Sequence, residues 1–178
     1  MKKYLLLIVT SLLMMACGDG IKEEAVGMFL LPGVNYGDDI HELIDKNVVQ
    51  VKHISTEGKH YALNATLYGY DFSEDALGVE TENEKVIDVL FGVQIPYEIF
   101  VGEEMPPAIK MAMALEDKLT EEMGTPTKIQ NLNFMFKTEQ TRIVWKKNGL
   151  KCELSIYPMP NNKFWQIDYW AHIDKDNN

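Results

Sequence analysis

Histidine and carboxylate side chains are the groups in this chain that could bind a metal or act as acid–base catalysts, and the chain has four histidines. His53 and His60 flank Gly58, so a hairpin at that glycine would place two imidazoles near each other. A structural zinc site needs four ligands and a catalytic zinc site needs three, so this pair alone is insufficient. We therefore expect neither a metal site nor a cofactor.

Adjacent carboxylates occur at Asp38-Asp39, Glu103-Glu104 and Glu121-Glu122, and they do not indicate catalysis. Glycoside hydrolysis needs two carboxyl groups that face each other across a cleft, whereas acids at a helix start are favoured by the helix dipole. The chain also has no nucleophile elbow, phosphate-binding loop or dinucleotide fingerprint. The sequence predicts a protein that is not an enzyme and has no catalytic residues. A hydrolase that uses His41 or His172 is a less favoured alternative.

The chain has two cysteines, Cys17 and Cys152. Cys152 lies in an alternating stretch, where it shares one face with Leu150, Leu154 and Ile156. We expect it to be a buried small apolar residue rather than a nucleophile.

The N-terminus has the pattern of a bacterial secretion signal. Lys2 and Lys3 precede an uncharged apolar run from Tyr4 to Ala16. A helix of that length rises about 20 Å, which is short of the ~30 Å hydrocarbon core of a bilayer. The run is therefore predicted to be the apolar part of a signal and not a permanent membrane span.

The stretch Leu13-Met14-Met15-Ala16-Cys17 resembles the lipobox of bacterial lipoproteins. The resemblance implies that residues 1–16 are a signal peptide and that Cys17 carries lipid. It also implies that the membrane is the first partner of the protein. The expected location is the cell envelope of a Gram-negative bacterium, at the outer membrane. The alternative is an ordinary secretory signal that is cleaved near Ala16 and leaves Cys17 unmodified.

The chain carries a formal net charge of −10, and loss of Lys2 and Lys3 with the signal would make it more negative. Nucleic acids and anionic headgroups both bind cationic patches, so we expect no nucleic-acid partner. Residues 17–30 have little pattern and include several acids, which predicts a lipidated acidic tether. An acidic stretch after the lipid resembles the signal with which some Gram-negative bacteria export lipoproteins to the cell surface. The alternative is that the acidic residues only keep the tether solvated and are not an export signal.

Hydrophobic periodicity predicts a single α+β domain over residues 31–173, followed by a polar tail over residues 174–178. Helical spacing predicts a short helix that ends near Asn47 and a longer one over 107–123. Alternation and turn signals predict strands over 48–54, 59–72, 85–95, 140–146, 150–157 and 164–173. The order is a helix followed by three strands, twice. We therefore expect two halves that form a two-layer structure, an antiparallel sheet covered by two helices.

Three groups of residues in this layout carry a resemblance to a known fold. They are Gly33-Val34-Asn35-Tyr36-Gly37, Glu121-Glu122-Met123-Gly124-Thr125-Pro126, and the strand residues Trp145, Asn148-Gly149, Trp165 and Tyr169. With these residues the layout resembles the β-lactamase-inhibitor-protein-like domains of the bacterial envelope. The resemblance implies tandem helix-plus-sheet repeats with a concave sheet that contacts a protein.

The last predicted strand is rich in aromatic residues on both of its faces. Trp165, Ile167, Tyr169 and Ala171 share the face that we expect to be inside, and the opposite face carries Phe164, Gln166, Asp168, Trp170 and His172. Aromatic side chains mixed with polar ones are typical of binding surfaces, although they also occur on an open sheet with no partner.

Alternation along the predicted strand 59–72 places Tyr68 and Tyr70 on the face opposite Leu63 and Leu67, where they can join the outer aromatic residues of the last strand. The candidate binding surface is therefore formed by Phe164, Trp170, Tyr68 and Tyr70. The sequence favours a non-catalytic envelope-anchored module that binds an envelope protein through this surface. The alternative is a carrier of a small molecule, glycan or peptide.

Overall fold

A computed structural model describes residues 21–100, 104–133, 139–159 and 163–174. The predicted signal peptide, Cys17 and residues 175–178 lie outside the described residues. Within the described part of the chain, no helix is both long and apolar enough to span a membrane.

The described strands and helices are as follows in chain order. The strands are β1 (Phe29–Leu31), β2 (Val34–Asn35), β3 (Gln50–Ile54), β4 (His60–Asn64), β5 (Thr66–Leu67), β6 (Tyr70–Asp71), β7 (Ala76–Glu82), β8 (Lys85–Pro96), β9 (Lys128–Asn133), β10 (Glu139–Lys147), β11 (Leu150–Pro158) and β12 (Phe164–Ile173). The helices are α1 (Ile40–Asp45), α2 (Tyr97–Phe100) and α3 (Pro107–Met123), and Glu23–Ala25 form a 3₁₀ helix.

An antiparallel sheet of eight strands organises the fold, in the spatial order β3-β4-β7-β8-β12-β11-β10-β9. The first four of these strands follow one another as a meander, and the last four form a second meander. The two meanders join where β12 pairs antiparallel with β8. The predicted α+β class with an antiparallel sheet is therefore confirmed.

The prediction of three strands after each helix is wrong, because four strands of the large sheet follow α1 and four follow α3. The two strands of the large sheet that were not predicted are β7 and β9. In β7 the buried residues Leu77, Val79 and Thr81 alternate with Ala76, Gly78 and Glu80. Small and acidic residues are poor strand formers, so the local sequence gives only a weak signal for β7. Pairing with the neighbouring strands of the sheet stabilises it.

The single long strand predicted over residues 59–72 is also wrong. The chain leaves the large sheet after β4 and forms the small hairpin of β5 and β6. Tyr68 and Gly69 form its tip with φ angles of 50° and 84°. Gly69 adopts this left-handed conformation without a steric cost, which fixes the turn.

Helix α3 has the predicted bounds and covers the inner face of the sheet. It begins at Pro107, where the missing N–H of proline costs nothing, and ends before Gly124, whose φ is 88°. Its buried side chains recur at helical spacing and are Ala108, Met111, Ala112, Leu115, Leu119 and Met123. The predicted hairpin turn at Asn148-Gly149 is also confirmed, since both residues have positive φ angles.

The chain is already part of the fold before residue 31. Ala25 and Leu30 are buried, and the buried hydroxyl of Tyr169 donates to the carbonyl oxygen of Leu30 at 2.7 Å. At the other end, Asp174 is buried and its carboxylate lies 2.7 Å from the ammonium of Lys146. The expected boundaries of the tether and of the polar tail therefore fall inside the folded structure.

We predict that Tyr169→Phe lowers the free energy of unfolding by about 1–2 kcal/mol, because it removes a buried donor from the Leu30 carbonyl. Urea denaturation of the full chain measures the change. Tyr97→Phe is the control, since Tyr97 is an exposed ring stacked on Trp165. Equal stability of the two variants would show that the N-terminal segment does not depend on this hydrogen bond.

Candidate functional site

The outer face of the sheet, opposite α3, carries the candidate site. In β12 the side chains of Ile167, Tyr169 and Ala171 are buried, whereas Trp170 is 42% exposed. The predicted orientation of the last strand is therefore confirmed. The inward orientation of Cys152 is confirmed too, and burial raises the pKa of its thiol to about 12, which keeps it protonated.

A trough of about 700 Å³ crosses the outer face over β4, β7, β8 and β12. Its floor is a row of cross-strand neighbours in which Ala62 is opposite Gly78, Gly78 is opposite Leu90, and Leu90 is opposite Trp170. The residues at one end of the row are small, and Leu90 is 56% exposed. The row is therefore a shallow apolar floor that ends against the Trp170 indole.

Charged residues border this apolar row on both sides. On one side the register places Glu80 between His60 and Asp88. On the other side Asp168 is opposite Gly92. All of these residues line the trough.

The Trp170 ring is held in place by two neighbours. Its Nε1 lies 2.8 Å from each carboxylate oxygen of Asp88 and donates to that group. One face of the ring stacks on His172, with 3.8 Å between ring centroids and 20° between planes. Burial lowers the pKa of His172, so its imidazole is neutral at pH 7.

Asp168 is oriented by neutral donors. The Tyr157 hydroxyl donates to Oδ2 at 2.6 Å, and the Gln166 amide donates to Oδ1 at 2.7 Å. Burial and the neighbouring carboxylate raise the pKa of Tyr157 to about 12, so the hydroxyl remains a donor. Gly92 leaves the space that this arrangement needs, because a Cβ at that position would lie 3.2 Å from Asp168 Oδ1.

Beyond Trp170, the next cross-strand neighbour is Glu153, its partner on β11. Arg142 and Lys151 both form ion pairs with the Glu153 carboxylate, which is buried. Burial by itself would raise the pKa of Glu153, but the hydrogen bonds and charges of Lys151 and Arg142 outweigh it and lower the pKa.

The four predicted surface aromatics do not lie together. Phe164 is on the outer face with Trp170, but the two are six positions apart along β12, which is about 20 Å. Tyr70 packs on the buried ring of Phe72, with 5.0 Å between ring centroids. Of the four, the trough includes only Trp170.

Tyr68 lies on the α3 side of the sheet rather than on the outer face. Burial raises the pKa of its hydroxyl, with smaller effects from Lys118 and Glu121 of α3. Tyr70 is on the same side, because Phe72 contacts Phe91 of the inner face. Alternation along residues 59–72 misplaced both tyrosines because the hairpin of β5 and β6 ends that strand early.

The four histidines lie at separate places in the fold. The register pairs His53 with Ala62 and His60 with Glu80, so the two are not cross-strand neighbours. His41 is on α1, 3.6 Å from Glu84, whereas His172 is on the outer face of β12. Among the described residues, no three histidine, cysteine or acidic side chains are placed to hold a metal ion.

Sequence reasoning missed the residues that complete the trough, which are Gly78, Asp88, Leu90 and Gly92. A signal for two of them is present, since a glycine inside a strand often marks a close approach of another group. The strand of Gly78 was not predicted, so its alternation with the residues beside it was not visible.

Comparisons of this chain with protein family models, curated proteins and solved structures give no match.

We predict that Glu153→Gln destabilises the fold by about 1–3 kcal/mol at pH 7, because Arg142 and Lys151 lose their shared carboxylate. The folded-state pKa of Glu153 is lowered, so its contribution is complete above the unfolded-state pKa of about 4.3. It is lost as the pH falls through the lower folded-state value. Urea denaturation from pH 7 to pH 3 measures the effect, with Glu121→Gln on exposed α3 as the control. If the difference in the free energy of unfolding between wild type and variant stays the same from pH 7 to pH 3, the ion-pair explanation is wrong.

Proposed function

We propose that this protein is a non-catalytic module of the bacterial envelope that binds a protein partner through the trough on its outer sheet face. One observation carries the proposal: Trp170 is exposed yet held rigidly at the end of an apolar row. Exposed tryptophans on a preformed surface supply much contact area at little entropic cost. The neutral His172 and the scattered carboxylates support binding better than proton transfer.

The position of the N-terminal segment is compatible with a lipid anchor on Cys17. A Cβ at Gly149 would lie 3.3 Å from the side chain of Lys22, so the described chain starts beside the β10–β11 hairpin. The trough lies over β4, β7, β8 and β12, and Lys22 is not part of its lining. We therefore propose that the lipid holds the protein at the outer membrane and leaves the outer face free for a partner.

We also propose the finer architecture of two layers built from two helix-then-strands halves. It is supported by the four sheet strands that follow each of α1 and α3 and by the meeting of β8 with β12 at the centre. This arrangement supports a relation to β-lactamase-inhibitor-protein-like domains, in which one face of the sheet contacts a protein.

We predict that Trp170→Ala weakens partner binding about tenfold or more while it changes the free energy of unfolding by about 1 kcal/mol or less. Gly78→Val tests the trough by filling it. A Cβ at Gly78 has ordinary contact distance to its nearest neighbour, the Tyr61 carbonyl oxygen at 3.4 Å, and valine favours a strand. We expect Gly78→Val to abolish binding with unchanged or higher stability.

The measurement is cross-linked capture from an envelope extract of the host, quantified by mass spectrometry and compared between variants. Met113→Ala is the matched control, because Met113 is an exposed apolar residue of α3 on the other side of the sheet. A stoichiometric partner that is lost with Trp170→Ala and Gly78→Val but kept with Met113→Ala supports the proposal. A partner captured equally by all variants would place the interface elsewhere, and capture of no partner would favour the carrier of a small molecule, glycan or peptide.

We predict that Cys17→Ser moves the protein from the membrane fraction to the soluble fraction of the envelope. Two or three acyl chains hold a protein on a membrane almost permanently, and serine has no thiol to accept them. Fractionation, with mass spectrometry of the N-terminal peptide, measures the change, and Cys152→Ser is the control. If the Cys17→Ser protein stays in the membrane fraction and the wild-type peptide carries no lipid, the anchor proposal is wrong.

A further inference from the structure

The two residues that flank Trp170 on the outer face of β12 point to a cation site beside its indole. Trp170 has two neighbours on the outer face of its own strand, His172 on one side and Asp168 on the other. His172 covers one face of the indole. The other face of the indole is therefore directed along β12 toward Asp168. Trp170 and Asp168 both line the trough.

The gap between Trp170 and Asp168 fits a planar cationic group. Outward-facing positions two residues apart in a strand are separated by about 7 Å. A guanidinium inserted there would contact the indole face at about 3.5 Å and the carboxylate at a similar distance. Leu90 and Gly92, which are the partners of Trp170 and Asp168 on β8, form the floor of this gap. Because Gly92 has no side chain, the Asp168 carboxylate and the Gln166 amide can lie directly over it.

The charge of the trough favours the same occupant. The residues that line the trough include four acids, Asp75, Glu80, Asp88 and Asp168, and one lysine, Lys52. The Lys52 ammonium donates to the backbone carbonyls of Phe72 and Asp75. The acids of the lining therefore outnumber its lysine by three.

Neutral donors orient the carboxylate of Asp168. The Tyr157 hydroxyl and the Gln166 amide both donate to it. A carboxylate held in this way is oriented for a charge-assisted contact with a ligand, and a cation over the face of an indole gains further attraction from the ring.

We propose that the trough binds a segment of a protein partner that inserts an arginine or lysine side chain between Trp170 and Asp168 and lays an adjacent apolar side chain along the row of Leu90, Gly78 and Ala62. The row from Trp170 to Ala62 crosses three strand spacings, about 14 Å, which is the length of about four extended residues. This inference rests on the proposed function, because it specifies the chemistry of the partner at the same trough.

The test is a titration of the full chain, labelled with ¹⁵N-tryptophan and held in non-ionic detergent, with short peptides. The probe is acetyl-Gly-Leu-Arg-Leu-Gly-amide. Its matched control replaces arginine with citrulline, which has the same shape and no charge. The indole N–H signal of Trp170 reports on the site, and those of Trp145 and Trp165 serve as internal references.

We expect the arginine peptide to shift the Trp170 signal and to bind about two- to fivefold more tightly than the citrulline peptide. We expect the same loss from Asp168→Asn and from higher salt, because both weaken the charge interaction. Trp170→Leu keeps an apolar side chain without a π face, and its binding is followed by the amide signal of ¹⁵N-labelled Gly92. The control Asp117→Asn on α3 should leave the affinity unchanged.

Three results would overturn the inference: no shift of the Trp170 signal with the arginine peptide, equal binding of both peptides, or an unchanged affinity of Asp168→Asn. An oligosaccharide that shifts Trp170 when the arginine peptide does not would also overturn it. These failures differ from failure of the proposed function. A partner captured through Trp170 but insensitive to Asp168→Asn and salt would leave the proposed function standing and reject only the cation site.

Discussion

The antiparallel pairing of β8 with β12 is the interaction on which the rest of the structure depends. It joins two meanders into one sheet, and it places Phe91 beside Tyr169 on the inner face, with ring centroids 5.3 Å apart. The same register places Leu90 beside Trp170 on the outer face. Because side chains alternate along a strand, this one pairing determines both the core under α3 and the trough on the opposite side.

The two faces of the sheet are held by different forces. The inner face is stabilised by burial of large apolar side chains against α3 and against the hairpin of β1 and β2. The Tyr169 hydroxyl donates to the Leu30 carbonyl of that hairpin. On the outer face, hydrogen bonds hold the exposed groups in place. Trp170 donates to Asp88, and Tyr157 donates to Asp168. These contacts fix side chains that solvent would otherwise leave mobile. A surface that is ordered before binding loses less conformational entropy when a ligand arrives.

The chemistry of the outer face is consistent with the binding role proposed for it. Its aromatic ring is accessible, the Asp168 carboxylate is oriented by neutral donors, and Gly78 and Ala62 leave part of the floor without large side chains. The thiol of Cys152 is on the other face, where it is buried in the core and protonated. The first described residues lie beside the β10–β11 hairpin, where Lys22 approaches Gly149, and the trough does not include them.

The sequence by itself determined the elements whose signals are local. Proline at the start and glycine at the end bound α3, Asn148-Gly149 specified a hairpin, and alternation divided β12 into an inner and an outer face. The sequence also indicated Trp170 as an exposed aromatic residue.

Tertiary structure decided the features that depend on contacts between distant parts of the chain. The strand β7 forms because β4 and β8 pair with it, although Gly78 and Glu80 are poor strand residues. Tyr68 and Tyr70 leave the predicted surface because a left-handed turn at Gly69 ends their strand. Asp88 and Asp168, which are 80 residues apart in the chain, come to the same trough through the β8–β12 pairing. Such a register depends on long-range packing of both sheet faces, and no pattern within a single strand encodes it.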